Sequence, residues 1–133
     1  MPLSPADLRD PRGVMRAMGV AAVSVGVGFT VAPKLGLRLI GLEAEGRGVG
    51  FVARLFASRD LAIGAATLLA AQRDPVDLRW LDLIALFQVT DLALTGMLWR
   101  RGRLSRRAWA VMVGTATPTL GVALAARLRP AAA

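Results

Sequence analysis

The hydrophobic residues of the chain fall into four long segments separated by short polar stretches. These segments cover residues 14–32, 50–72, 80–99 and 107–127, give or take a residue or two at each end. The first and the last contain uncharged runs of spanning length, since about 20 apolar residues are enough to cross the hydrocarbon core of a bilayer. The pattern predicts an all-α integral membrane four-helix bundle. We expect one transmembrane domain over residues 1–133, multi-pass in the cell membrane, with flexible ends at 1–13 and 128–133.

The chain between the first two predicted spans is too short and too interrupted to cross a membrane. Residues 34–50 begin with leucine and isoleucine positions, continue through Glu43 and Glu45, and end in closely spaced glycines. We expect a short interfacial helix or re-entrant turn here, followed by a flexible linker. The connections at 72–79 and 100–107 are short, so the helices that they join should be antiparallel neighbours.

The composition supports a membrane location and excludes several kinds of chemistry. Of the 133 residues, 55% are hydrophobic, whereas a small soluble domain needs a much more polar surface. The chain has no cysteine and no histidine. Disulfide scaffolds, thiol or imidazole catalysis and cysteine or histidine metal sites are therefore excluded. We expect neither a metal site nor a cofactor.

The basic residues indicate contact with lipid rather than with nucleic acid. The net charge is +8, from 17 basic and 9 acidic residues. Five arginines lie between Arg100 and Arg107, in the connection between the last two hydrophobic segments. Arginines at the end of a membrane span are typical of binding to lipid phosphates. We therefore expect membrane lipids as partners and no nucleic acid.

Three charged residues interrupt the second and third segments near their middles, namely Arg59, Asp60 and Asp91. A charge at the bilayer centre costs at least ~2.5–3.5 kcal/mol on insertion scales, so it should be paired or should line a wet cavity. We expect Arg59 to pair with Asp91 across antiparallel helices. Such a pair could simply fix the helix register. Alternatively, Arg59 turns toward Asp91 and away from Asp60, and Asp60 is left neutral by burial and acts as a proton donor.

Helical geometry suggests what surrounds these charges. At 100° per residue, Asp60 shares a face with Ala53, Ala57 and Gly64, which would form a groove for a substrate. Asp91 shares a face with polar residues of the third segment. The candidate catalytic residues are Asp60, Asp91 and Arg59. The candidate substrate-binding residues are Arg54, Ser58, Gln88, Thr95, Phe56 and Phe87, where the two aromatic rings could flank a carbocation.

Small residues also recur four positions apart in the fourth segment. The positions are Ala110 and Gly114, and then Thr117, Gly121 and Ala125. Such a stripe lets helix backbones approach closely in lipid, where packing drives association.

The stretch from Arg54 to Gly64 resembles the signature of a family of small four-helix integral membrane proteins, loosely DoxX-like. That pattern has an arginine, a short apolar or small spacer, an arginine followed by an acidic residue, and a glycine four positions after the acid. Arg54, Arg59, Asp60 and Gly64 match it. The resemblance implies the four-helix membrane fold over about residues 14–127 and implies no particular activity.

The size and the span layout are also similar to those of membrane-embedded bacterial terpenoid cyclases, although no motif residue carries this likeness. In those enzymes a carboxylic acid protonates a prenyl alkene or epoxide. The leading hypothesis is therefore a membrane enzyme for acid–base isomerisation or cyclisation of a lipophilic, prenyl- or terpenoid-like small molecule. The alternative is a non-enzymatic subunit or small transporter, working as a homodimer or with a larger partner, whose charged cluster is structural or proton-coupled.

Overall fold

The computed structural model describes residues 10–46 and 48–128, and all regular structure in this part of the chain is helical. The helices are α1 (Pro11–Val31), α2 (Pro33–Leu39), α3 (Val49–Ala70), α4 (Arg79–Arg100) and α5 (Arg106–Leu128). The all-α prediction is confirmed for the described residues. The four long helices coincide with the four hydrophobic segments, and α2 lies where a short helix is expected.

The first helix begins earlier than the hydrophobic pattern indicates. A carboxylate oxygen of Asp10 accepts a hydrogen bond from the backbone N–H of Arg12 at 3.2 Å, and Pro11 occupies the first turn. Both features favour a helix start, because a capping oxygen satisfies a free N–H and proline has none to satisfy. Residues 11–13 are therefore helical, which corrects the expectation of a flexible end there. Leu128, the first residue of the other predicted flexible end, is the last residue of α5. Residues 1–9 and 129–133 lie outside the described residues.

Three of the long helices, α1, α4 and α5, are long and apolar enough to cross a membrane. Helix α3 is equally long, at 22 residues, but it is not among them. Every 18-residue stretch of α3 contains Arg54, Arg59 and Asp60, so α3 is more charged along its middle than the other three long helices. The four-span prediction is thus supported for three of its helices.

Helices α1 and α3 pack antiparallel with their backbones in contact. A Cβ atom built on Gly64 would lie 2.8 Å from the carbonyl oxygen of Gly19, and one built on Gly26 would lie 2.9 Å from that of Ala57. Side chains larger than hydrogen do not fit at these distances. The three glycines therefore set the separation of the two helices, as small residues do in membrane helix pairs.

Helices α4 and α5 form a second antiparallel pair. At one end the rings of Trp99 and Trp109 are 5.5 Å apart. At the other end Arg127 binds Asp82 with a shortest distance of 3.0 Å. This pairing agrees with the short connection predicted between the two helices.

The two pairs meet mainly at their ends. One end holds the main apolar cluster, which consists of Val14, Met15, Ala70, Ala71, Leu81 and Ala126. At the opposite end, the hydroxyl of Ser105 donates to the carbonyl of Gly41 at 3.0 Å, and Arg107 donates to that of Leu39 at 3.1 Å. Between these ends α3 and α4 touch sparsely, and charged side chains bridge them.

Candidate functional site

The bridge between α3 and α4 is a cluster of three charged side chains, Arg59, Asp60 and Asp91, which we call the charge cluster. Arg59 donates to both carboxylate oxygens of Asp91, with Nη1–Oδ1 at 3.3 Å and Nη2–Oδ2 at 3.2 Å. Its Nε also donates to Oδ1 of Asp60 at 3.2 Å. A single guanidinium therefore joins two carboxylates, using the planar fork that makes arginine suited to bidentate pairing.

The backbone places these side chains together because each lies near the middle of its helix. Arg59 and Asp91 occupy the central turns of two antiparallel 22-residue helices, so they lie at similar depth. The predicted pairing of Arg59 with Asp91 is present. The expectation that Arg59 turns away from Asp60 is wrong, because the guanidinium binds Asp91 through Nη1 and Nη2 and leaves Nε to donate to Asp60.

The charge cluster is half-buried and can be reached from the surface. Arg59, Asp60 and Asp91 have 29%, 26% and 20% of their side-chain surface exposed. The guanidinium carbon of Arg59 is 5.6 Å from the ring centroid of Phe56 and 5.0 Å from that of Phe87. These are cation–π distances. The cation that the two rings face in this structure is therefore Arg59 itself.

The small-residue face of α3 does not provide the expected substrate groove. Ala53 and Ala57 are 3% and 1% exposed, and Gly64 is buried against Gly19 and Val23 of α1. Helix α1 thus fills the groove that the sequence left open. Gly19 and Gly26 allow α1 to approach α3 this closely. The sequence pattern did not single them out, although their spacing of seven places them on one helix face.

The remaining candidate residues lie around the charge cluster or apart from it. The Nε of Arg54 donates to the carbonyl of Thr30 at 3.2 Å, in the last turn of α1. The hydroxyl of Ser58 donates to the carbonyl of Leu55 at 2.8 Å, within α3. Gln88 is half-buried and Thr95 is 4% exposed, one turn on either side of Asp91. The structure thus brings Phe56 and Phe87 to the charge cluster and directs Arg54 and Ser58 to backbone carbonyls.

Among residues 10–46 and 48–128, no group of three or more acidic side chains is placed to hold a metal ion. Comparison of the chain with family models, with curated proteins and with solved structures finds no match.

Proposed function

We propose that the protein is a multi-pass membrane protein in which all four long helices cross the bilayer. Large apolar side chains are exposed on the outer surface of every long helix. They include Val25, Phe51, Leu69, Leu86 and Leu124, which are between 44% and 65% exposed. Large apolar side chains exposed on all four long helices are unfavourable in water and are typical of contact with lipid.

The contacts at the ends of α3 support its assignment as a fourth span. Gly41, which precedes α3, contacts Ser105 at the start of α5. Arg73, which follows α3, accepts a hydrogen bond from Arg12 at the start of α1, at 3.2 Å. The start of α1 lies beside the end of α5. If α1 and α5 cross the membrane, these contacts therefore support a position of the two ends of α3 on opposite sides of it. The charges of α3 then lie between helices rather than in lipid, as intramembrane charges do.

Cysteine labelling tests this topology directly, because the natural chain has no cysteine. With four spans, a membrane-impermeant thiol reagent should modify Glu45→Cys and Arg103→Cys from the same side, and Gln72→Cys from the other. With three spans, Glu45→Cys and Gln72→Cys would react from the same side. That second result would show that α3 does not cross.

For the charge cluster we propose acid–base chemistry on a lipophilic substrate. With both carboxylates ionised, Arg59, Asp60 and Asp91 together carry one negative charge. One proton on a carboxyl group makes the cluster neutral, which lipid surroundings favour. Asp60 is the better proton carrier, because it receives one hydrogen bond from Arg59 whereas Asp91 receives two. The sharing of one guanidinium by two carboxylates is the observation that carries this proposal.

The reaction class is isomerisation or cyclisation. The Asp60 carboxyl gives its proton to an alkene carbon of the substrate, which forms a new C–H bond and leaves a carbocation. Loss of a proton from a neighbouring carbon forms the new double bond and returns a proton to the carboxylate. The product has the mass of the substrate. Arg59 stabilises the carboxylate that exists between the two transfers, and the exposed surface near Phe56 is where a molecule from the bilayer reaches the site.

A chromosomal Asp60→Asn substitution in the native organism tests the enzymatic proposal. Asparagine keeps the shape of aspartate but carries no transferable proton. Formation of the product should fall at least ~10²-fold, the low end for a positioned general acid. Chromatography of lipid extracts with mass detection should then show one lipophilic compound replaced by an isomer of equal mass and different retention time. Asp82→Asn is the matched control, because Asp82 lies in the first turn of α4, away from the charge cluster, and pairs with Arg127. Identical extracts from wild type and Asp60→Asn would remove the enzymatic proposal.

A non-enzymatic subunit or small transporter is the second candidate, and the outer face of α5 favours it. Gly114 and Gly121 have no heavy atom within 4 Å of a built Cβ, and Ala110, Thr117 and Ala125 are exposed as well. This small-residue stripe packs against nothing in the described chain. A second helix, from another copy or a larger partner, would fit such a face. The charge cluster would then fix the register of α3 and α4 or couple proton movement to transport.

A further inference from the structure

An open depression lies on the outer surface of α4 towards its C-terminal end. It has a volume of about 610 Å³ and is lined by Leu92, Ala93, Gly96, Met97, Arg100 and Arg101. A Cβ atom built on Gly96 would have no heavy atom within 4 Å. The floor of the depression is therefore bare backbone, with apolar side chains beside it and two guanidinium groups at its rim.

The two arginines at the rim have no charged partner among the described residues. Arg100 and Arg101 are exposed, and neither takes part in the ion pairs or side-chain hydrogen bonds of residues 10–46 and 48–128. The arginines at the other end of the same helix pair are different. Arg79 binds Asp77 at 2.9 Å and Arg127 binds Asp82 at 3.0 Å. Positive charge is thus neutralised at one end of α4 and left available at the other.

The spacing of the lining residues matches the shape of a phospholipid. Leu92, Gly96 and Arg100 follow one another at intervals of four and share a helix face, over about 12 Å at 1.5 Å per residue. The apolar part of this stripe points toward the middle of the helix, and the arginines lie where the helix ends. A headgroup and an acyl chain need this order of polar and apolar surface.

We propose that this depression binds one anionic phospholipid. Arg100 and Arg101 hold the phosphate, because guanidinium groups form paired hydrogen bonds with phosphate oxygens. An acyl chain lies over Gly96 between Leu92 and Met97. Clusters of arginine next to a membrane span attract anionic headgroups in this way. The proposal rests on the proposed membrane location and is independent of the chemistry of the charge cluster.

The test uses the full chain in nanodiscs of phosphatidylcholine that contain a minority of phosphatidylglycerol. Native mass spectrometry after release counts the phosphatidylglycerol that stays bound to each chain. The wild type should retain one molecule. A charge-assisted hydrogen bond to the bound phosphate contributes about a tenfold change in affinity, so the double variant Arg100→Gln, Arg101→Gln should bind phosphatidylglycerol roughly 100-fold more weakly. Gly96→Leu fills the floor without changing the charge and should also lose the lipid.

Matched controls separate a defined site from general attraction. Arg103→Gln with Arg106→Gln removes the same charge from the same connection but does not touch the depression, and it should retain the lipid. Gly28→Leu makes the change of Gly96→Leu at an open position of α1 and should also retain it. Equal loss in both arginine pairs, or retention in Gly96→Leu, would overturn the site.

Two further results bear on the ligand and on the membrane location. Excess glycerol 3-phosphate, which offers the phosphate without acyl chains, should not displace the lipid. Displacement would assign the arginines to free phosphate compounds and would overturn the proposal for phospholipid. A chain that purifies without detergent as a soluble monomer would instead overturn the membrane location itself, so the two failures are distinguishable.

Discussion

Arg59 of α3 binds both carboxylate oxygens of Asp91 of α4, at 3.3 and 3.2 Å, where the two helices otherwise touch little. The Arg59–Asp91 pair therefore joins the α1/α3 pair to the α4/α5 pair near the middle of the helices. The apolar cluster and the Gly41–Ser105 contact join the same two pairs at their ends. Substitution of one side chain at a time can therefore measure how much each charge contributes to stability.

Arg59→Leu should destabilise the protein by about 3 kcal/mol, the low end for breaking a buried pair, because the side chains are half-buried. Loss of the guanidinium leaves two carboxylates close together without a counter-charge. The double variant Arg59→Leu, Asp91→Leu should recover much of this loss, and denaturation of each variant in detergent measures it. If the losses of the two single variants simply add, the pair does not contribute as proposed.

The charge cluster should contain one protonated carboxyl group at neutral pH. Infrared spectroscopy of the protein in nanodiscs should show the C=O stretch of a carboxylic acid. This band should disappear in Asp60→Asn and persist in Asp82→Asn. Disappearance in Asp91→Asn alone would move the proton to Asp91. A wild-type spectrum without the band would mean that both carboxylates are ionised and would remove the proton donor.

Gly64→Leu should separate α1 from α3. The new side chain would begin 2.8 Å from the Gly19 carbonyl oxygen and the Val23 nitrogen, and these backbone atoms cannot move without shifting the helix. Overpacking of this kind costs about 1–3 kcal/mol or more. Gly28→Leu introduces the same side chain into α1 where nothing lies within 4 Å and should be tolerated. Thermal unfolding in detergent compares the two, and equal stability would contradict the close packing of α1 on α3.

Acid should weaken the connection between α3 and α4 through Asp77. The hydrogen bonds from the Arg79 side chain, at 2.9 and 3.0 Å, lower the pKa of the Asp77 carboxyl, with the Arg79 backbone N–H and the charges of Arg79 and Arg73 adding to this. A lowered pKa in the folded state stabilises the protein above the unfolded value of about 3.9. That stabilisation is lost as the pH falls through the folded pKa.

The unfolding temperature should be measured from about pH 6 down to pH 3, which spans the ordinary pKa values of carboxyl groups. It should fall less steeply with decreasing pH in Asp77→Asn than in the wild type. Asp74→Asn is the control, because the Asp74 side chain is 96% exposed and lies 3.8 Å from Arg12. It should follow the wild-type profile. Superimposable profiles for the wild type and Asp77→Asn would exclude a contribution from Asp77.

The sequence by itself determined the long helices, because an apolar run of spanning length can satisfy its backbone only within a helix. It also determined the partner of Arg59, since an unpaired charge at that depth is costly and Asp91 lies at the same depth. Both inferences depend on local pattern and on distance along a helix axis.

The tertiary structure decided which faces are covered and how far a side chain reaches. Ala57 and Gly64 form a small-residue face of α3 that could have received a substrate. Helix α1 covers this face, because Gly19 and Gly26 allow its backbone to approach α3. Helical periodicity gives the directions in which the side chains of Arg59 and Asp60 leave α3. It does not give the position of the Arg59 Nε atom, because that position depends on where α4 places Asp91. Pairing between helices follows complementary shapes and long-range contacts, and the spacing of residues along one helix does not contain that information.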